Sequence, residues 1–264
     1  MLGAIIGDIV GSRFEWNNHR SKDFELFTKK CFFTDDSVMT LAIAKALVEC
    51  KGDYGNLSEV TVRTMQEVGR PYPYCGYGGM FRRWMYSDDP QPYNSFGNGA
   101  AMRVSACGFV ARDLEEAKDL SRKVTVVTHG HPEGIKGAEA TTVAIFLARQ
   151  GYSIDEIKDH IEREYYKIDF TLDEIRDTYE FNETCQNTVP QALEAFFESD
   201  SFEDAIRNAI SIGGDSDTLA AITGGIAEAY YGIPEHIGKT AKDYLDQKLW
   251  DILAEFENKF GYGK

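Results

Sequence analysis

The chain has 264 residues, and 28 Lys and Arg against 43 Asp and Glu leave a formal charge of −15. Hydrophobic residues make up 43%, charged residues 27% and aromatic residues 12%, the profile of a folded globular chain with a substantial core. So acidic a balance excludes broad binding to a nucleic-acid backbone. Any anionic ligand has to be received by a local device, such as a metal ion or a helix N-terminus.

In chain order, Gly3, Gly7 and Gly11 come first, a spacing that puts three small residues on one helix face for close packing against a neighbour. Cys31-Phe32-Phe33 is too short to build a sheet on. Helical periodicity marks 38–48, 60–68, the short segment 80–86, 114–127, 138–147 and 154–165. It continues through 189–197, 202–212, 219–230 and 241–256. Ser153 with Glu156, Thr171 with Glu174 and, more weakly, Ser201 with Asp204 stand at capping-box spacing. Alternating strand patterns are almost absent. The expectation is one all-α domain over residues 1–264, with roughly ten helices and neither a repeat nor a linker.

Two stretches break the helical pattern, 70–79 and 88–99, and they flank the short helix at 80–86. Long Gly-, Pro- and Tyr-rich loops inside a helical domain point to binding. The five cysteines (Cys31, Cys50, Cys75, Cys107, Cys185) are scattered without a CxxC pair, which predicts reduced thiols rather than a disulfide framework. No run of about 18 apolar residues predicts a membrane span. The opening Met1-Leu2-Gly3-Ala4-Ile5-Ile6-Gly7-Asp8 lacks the basic stretch of a secretory signal, so a cytoplasmic monomer is expected.

Two acidic clusters stand out. Thr34-Asp35-Asp36-Ser37 precedes the apolar helix at 38–48, and Gly214-Asp215-Ser216-Asp217-Thr218 precedes the one at 219–230. Each sets two carboxylates and a hydroxyl at a helix start, where the dipole and free N–H groups tolerate negative charge. Ordinary N-capping accounts for a single Asp. It does not account for paired acids occurring twice between apolar runs, where desolvated carboxylates need protons or a cation. Asp and Thr oxygens without a Cys or His cluster select a hard ion, Mg²⁺ first and Mn²⁺ second, with Zn²⁺ disfavoured. Five or six such oxygens can hold two ions that orient a substrate and activate water.

Five segments resemble, in order, the ADP-ribosylglycohydrolase family, which includes the dinitrogenase-reductase-activating glycohydrolases. They are Gly7-Asp8-Ile9-Val10-Gly11-Ser12-Arg13-Phe14-Glu15, Thr34-Asp35-Asp36-Ser37, Ser95-Phe96-Gly97-Asn98-Gly99-Ala100-Ala101-Met102-Arg103, Thr128-His129-Gly130-His131-Pro132 and Gly214-Asp215-Ser216-Asp217-Thr218. The resemblance runs from residue 2 to about residue 231. It implies an all-α, orthogonally packed helical domain with a two-magnesium cleft. It also implies hydrolysis that releases ADP-ribose from a modified protein side chain or a small-molecule conjugate.

By motif, Thr34, Asp35 and Asp36 become metal ligands from one side, and Asp215, Asp217 and Thr218 from the other. Glu15 falls at the family's mobile glutamate and joins Asp36 and Asp217 as a catalytic residue; the small and polar residues around it suit a mobile flap. Asp8 stands behind the ligands. Gly76, Tyr77, Gly78 and Gly79 lead into a helix whose free N–H groups suit a diphosphate. Ser95, Phe96, Gly97, Asn98 and Gly99 lie in the same region of the family, and His129 matches its cleft histidine. His19, His131, His160 and His236 are expected to be surface or structural, and Tyr72, Tyr74 or Phe96 to stack on adenine. Ser37 stands where many relatives have Thr, and Arg13 sits in the glutamate loop. Two other readings remain open: an ADP-ribose binding module without turnover, and an Asp-rich diphosphate enzyme of the prenyl-synthase kind. Asp35-Asp36-Ser37-Val38-Met39 lacks the last acid of the DDxxD pattern that the second requires.

Overall fold

Helix starts are where the sequence acts most directly on this fold. A computed structural model describes residues 1–261; residues 262–264 of the expected domain lie outside the described residues. Among the described residues there are fifteen helices and no strand. The first eight are α1 (Leu2–Gly11), α2 (Asp35–Glu49), α3 (Leu57–Gly69), α4 (Gly79–Tyr86), α5 (Gly99–Met102), α6 (Ser105–Val110), α7 (Leu114–Thr125) and α8 (Pro132–Arg149). The rest are α9 (Ile154–Glu164), α10 (Leu172–Ile175), α11 (Cys185–Phe197), α12 (Phe202–Ser211), α13 (Ser216–Tyr231), α14 (Glu235–Lys242) and α15 (Gln247–Phe260).

The boxes at Ser153–Glu156 and Thr171–Glu174 close in both directions. At Ser201 only half a box forms: Ser201 Oγ accepts from the Asp204 N–H, while the Asp204 carboxylate accepts from the Asp200 N–H instead. The shorter Asp side chain does not reach back to the cap. The expected helix over 241–256 is in fact two helices, because Asp246 caps α15 by accepting from the Leu249 N–H and ends the preceding turn. Short α5, α6 and α10 raise the number of helices above the expected ten.

The core is organised around α1 and α13. All ten residues of α1 are buried, as are Ser216 through Ala227 of α13. The three glycines of α1 let the two backbones touch: a β-carbon on Gly3 would lie 2.2 Å from the Gly224 oxygen, and one on Gly11 2.5 Å from Asp217 Cα. Helices α2, α8, α11 and α12 pack around this pair. No helix among the described residues is long and apolar enough to cross a membrane.

Candidate functional site

Both acidic clusters sit where their helices begin, and α1 joins them. Thr34 caps α2, its Oγ1 accepting from the Asp36 N–H at 3.3 Å. Asp8, on α1, lies beneath that helix start. Its carboxylate accepts from the Thr34 N–H (2.9 Å), Thr34 Oγ1 (2.7 Å), the Ser37 N–H (3.0 Å) and Ser37 Oγ. Four donors, two of them otherwise unmatched helix N–H groups, fix the first turn of α2 to α1. Thr218 Oγ1 then donates to Asp36 Oδ2 at 3.3 Å, bringing the start of α13 against the start of α2.

The turn ahead of α13 runs through Gly213 and Gly214 with φ of +73° and +74°, a conformation open to glycine. A β-carbon on Gly214 would also lie 2.3 Å from the Tyr179 ring. Asn18 clamps this turn to the glutamate segment. Its Nδ2 donates to the carbonyls of Phe14, Glu15 and Gly214, and its Oδ1 accepts from the Gly214 N–H. These hydrogen bonds tie the Phe14 and Glu15 carbonyls to the turn ahead of α13. Carboxylate oxygens of Glu15, Asp215 and Asp217 come within 4.8 Å of one another.

Electrostatics show what such crowding demands. Burial, then the charge of Asp217, raises Asp35, Asp36 and Asp215 well above the usual carboxylate range, and the same two causes raise Asp8 to about 7. Burial also raises Asp217, against hydrogen bonds from Asp215 and the Thr218 N–H. Half-buried Glu15 rises to about 7 through burial and the charges of Asp217 and Asp8. Asp36 Oδ1 is buried with no hydrogen-bond partner. An all-oxygen donor set with an orphaned carboxylate oxygen suits a hard divalent cation.

The first loop adjoins these acids. The Asp35 N–H donates to the Cys75 carbonyl at 2.7 Å, and Gly76, at φ +101°, leaves no room for a β-carbon beside Asp35 Oδ1. Gly78 and Gly79 face open space at the start of α4, whereas the Tyr77 side chain is buried and its hydroxyl donates to the Gly69 carbonyl. In the second loop, Ser95 Oγ accepts from the Gly97 N–H, and Phe96 is exposed with its ring 5.2 Å from that of His131. Asn98 is buried, and its Nδ2 donates to Asp215 Oδ2 at 2.6 Å, which ties this turn to the acid cluster. His129 lies over this turn, its Nε2 3.6 Å from the β-carbon positions of both Gly97 and Gly99. Tyr72 is turned toward Asp246, its hydroxyl donating at 2.7 Å, while Tyr74 is 91% exposed. His131 is structural, accepting from the Glu133 N–H as the cap of α8.

The family model described as ADP-ribosylglycohydrolase matches residues 1–260. The chain belongs to the ADP-ribosylglycohydrolase family. Its members are hydrolases that act on ADP-ribose conjugates. It is similar to human ADP-ribosylhydrolase ARH3, at 26% identity over 97% of this chain and 90% of that one. ADP-ribosylarginine hydrolase Tri1 of Pseudomonas putida is 25% identical over 97% of this chain and 76% of its own length. The ADP-ribosyl-[dinitrogen reductase] glycohydrolase of Rhodospirillum rubrum is 25% identical over 89% and 85%. A solved structure titled as an ADP-ribosylglycohydrolase-related protein complex shares the fold, with a TM-score of 0.70 at 21% identity over 97% of this chain and 96% of that one.

In this member of the family, the structure brings Glu15, Thr34, Asp36, Asp215, Asp217 and Thr218 to one place, with Asp35 facing Gly76 at its edge. Sequence reasoning missed Asn18, the link from Asn98 to Asp215, and the role of Ser37 as a donor to Asp8. Each is a small polar residue whose partner lies far along the chain or on another helix, so no local spacing signals it.

Proposed function

We propose that this chain is a divalent-metal-dependent hydrolase that cleaves the glycosidic bond at the distal ribose of an ADP-ribosylated protein side chain or related conjugate. The observation that carries the reading is the contact of Thr218 with Asp36. It merges two helix-start acid pairs into one cluster, with the Glu15 carboxylate at its edge. Thr34, Asp35, Asp36, Asp215, Asp217 and Thr218 would hold two Mg²⁺ ions, or Mn²⁺ in their place. When bound, such ions supply charge neutralisation, Lewis acidity and a means of lowering the pKa of water.

The chain's own residues do the rest. Gly76, Gly78 and Gly79 offer main-chain N–H groups at the start of α4, so a diphosphate is received without cationic side chains on a protein of charge −15. The turn at Ser95, Phe96, Gly97 and Gly99, which lies against His129 Nε2, would supply further contacts to the same ligand. Glu15, whose carboxylate lies beside those of Asp215 and Asp217, takes a proton from attacking water or delivers one to the leaving group. Asp8, Asn18 and Asn98 hold the acids in place from behind.

Release of ADP-ribose from a panel of conjugates on arginine, serine, a nucleobase and a small molecule tests the reading. Metal-dependent release from at least one is expected. Tight ADP-ribose binding with no release from any would make the chain a binding module instead.

A further inference from the structure

Arg103 is the largest fully buried side chain among the described residues, and no carboxylate meets it. Its Nη2 donates to Thr128 Oγ1 at 2.6 Å and lies 3.2 Å from His129 Nδ1. The Phe81 ring centroid lies 5.9 Å from Cζ, and Nε has no partner. A buried guanidinium without an anion is a costly arrangement, and its partners indicate what it does.

A guanidinium only donates. Thr128 Oγ1 accepts from Arg103, so its own proton is free to go to His129 Nδ1, 2.8 Å away. Nδ1 is thus met by donors from both neighbours and must present its lone pair, which leaves the imidazole proton on Nε2. Burial and the Arg103 charge both push His129 well below the usual histidine range, so the ring is neutral. Burial brings Arg103 itself down to about 10, which leaves it charged at neutral pH. Nε2 faces the turn at Gly97 and Gly99.

We propose that Arg103, acting through Thr128, is a positioning residue that locks His129 as a neutral Nε2–H donor aimed at an oxygen of ADP-ribose seated on the 97–99 turn. The ligand's identity rests on the function proposed above; the lock itself does not. The device gives the cleft a directed donor without placing a cation at its surface, and a fully buried charge sets the tautomer from behind.

The imidazole nitrogen resonances of labelled protein report which nitrogen carries hydrogen, and they are read without ligand. Wild type should show Nε2–H and an unprotonated Nδ1 at neutral pH. Arg103→Met should populate the Nδ1–H form and weaken ADP-ribose binding about tenfold, while Arg103→Lys, which still donates, should restore most of both. In a His129→Gln background, Arg103→Met should change ADP-ribose affinity by less than about twofold, since the coupling partner is gone. If Arg103→Met does not fold, Thr128→Val removes the bridging hydroxyl and should itself reduce the Nε2–H population. An unchanged tautomer in these variants, or an equal loss of affinity in the His129→Gln background, would overturn the lock. Wild-type protein that shows the expected tautomer yet binds no ADP-ribose would instead overturn the functional reading.

Discussion

Gly7 and Ala220 meet backbone to backbone: a β-carbon on Gly7 would lie 1.9 Å from the Ala220 carbonyl oxygen. That approach sets the spacing of α1 and α13, and so the placement of Asp8 relative to Asp217. Gly7→Ala should therefore cost about 3 kcal/mol or more in urea unfolding, because backbone on both sides must move. Gly79→Ala serves as the control, since no atom beyond its own turn and chain neighbours lies within 4 Å of its β-carbon position. Equal losses at the two positions would mean that close backbone approach is not what Gly7 supplies.

Asp8 accepts from four donors on Thr34 and Ser37. An amide there has one acceptor oxygen, and its NH₂ would face N–H and O–H groups. Asp8→Asn should lower the affinity for Mg²⁺ or Mn²⁺ by about 10- to 100-fold, as loss of a group that orients metal ligands does. Calorimetric titration with either ion measures this. Unchanged affinity would confine Asp8 to folding.

Protons and metal should compete for the acid cluster. Asp8 and Glu15 both sit at about 7 when metal-free, against ordinary values of 3.8 and 4.5, so the folded protein binds protons more tightly than the unfolded chain. Their stabilising contribution is complete below the unfolded values and is lost as pH rises through 7. In chelator, Tm should thus be higher at about pH 6 than at about pH 8, by on the order of 5 °C. Saturating Mg²⁺ should raise Tm at the higher pH and flatten the slope. Chelation should also stop ADP-ribose release, with Mg²⁺ or Mn²⁺ restoring it and Zn²⁺ failing to. A protein fully active in excess chelator would remove the metal from the mechanism.

Glu15 lies at the edge of the cluster, its carboxylate within 4.8 Å of those of Asp215 and Asp217. Glu15→Gln should lower kcat by about 10² to 10⁴ while ADP-ribose binds within a few-fold of wild type, since the proposed diphosphate seat lies on other segments. Asn18→Ala should lower kcat by a smaller factor, because it releases the Phe14 and Glu15 carbonyls from Gly214. Calorimetry and product release on one preparation separate the two effects. Loss of binding in parallel with turnover would make Glu15 structural.

Much of the architecture was legible because its causes are local. A 3.6-residue apolar period and a cap three residues from its partner are both contained within a few turns, so helices and the full boxes at Ser153 and Thr171 appeared where expected. The break at Asp246 escaped because the apolar period carries on across it, and only the hydrogen bond to the Leu249 N–H shows that a new helix begins.

The site divides in the same way. Paired acids before apolar helices announced themselves as buried charge in need of protons or a cation, and the glycine face of α1 announced a close neighbour, without naming it. That the neighbour is α13 was decided by the tertiary structure. So were the meeting of Asp36 with Thr218 across 182 residues and the hold of Asn98 on Asp215 across 117. The physical reason is that a hydrogen bond reports distance in space, whereas a sequence records only order. One Asn, Arg or Glu among many carries no mark of its partner until the helices pack and water is removed.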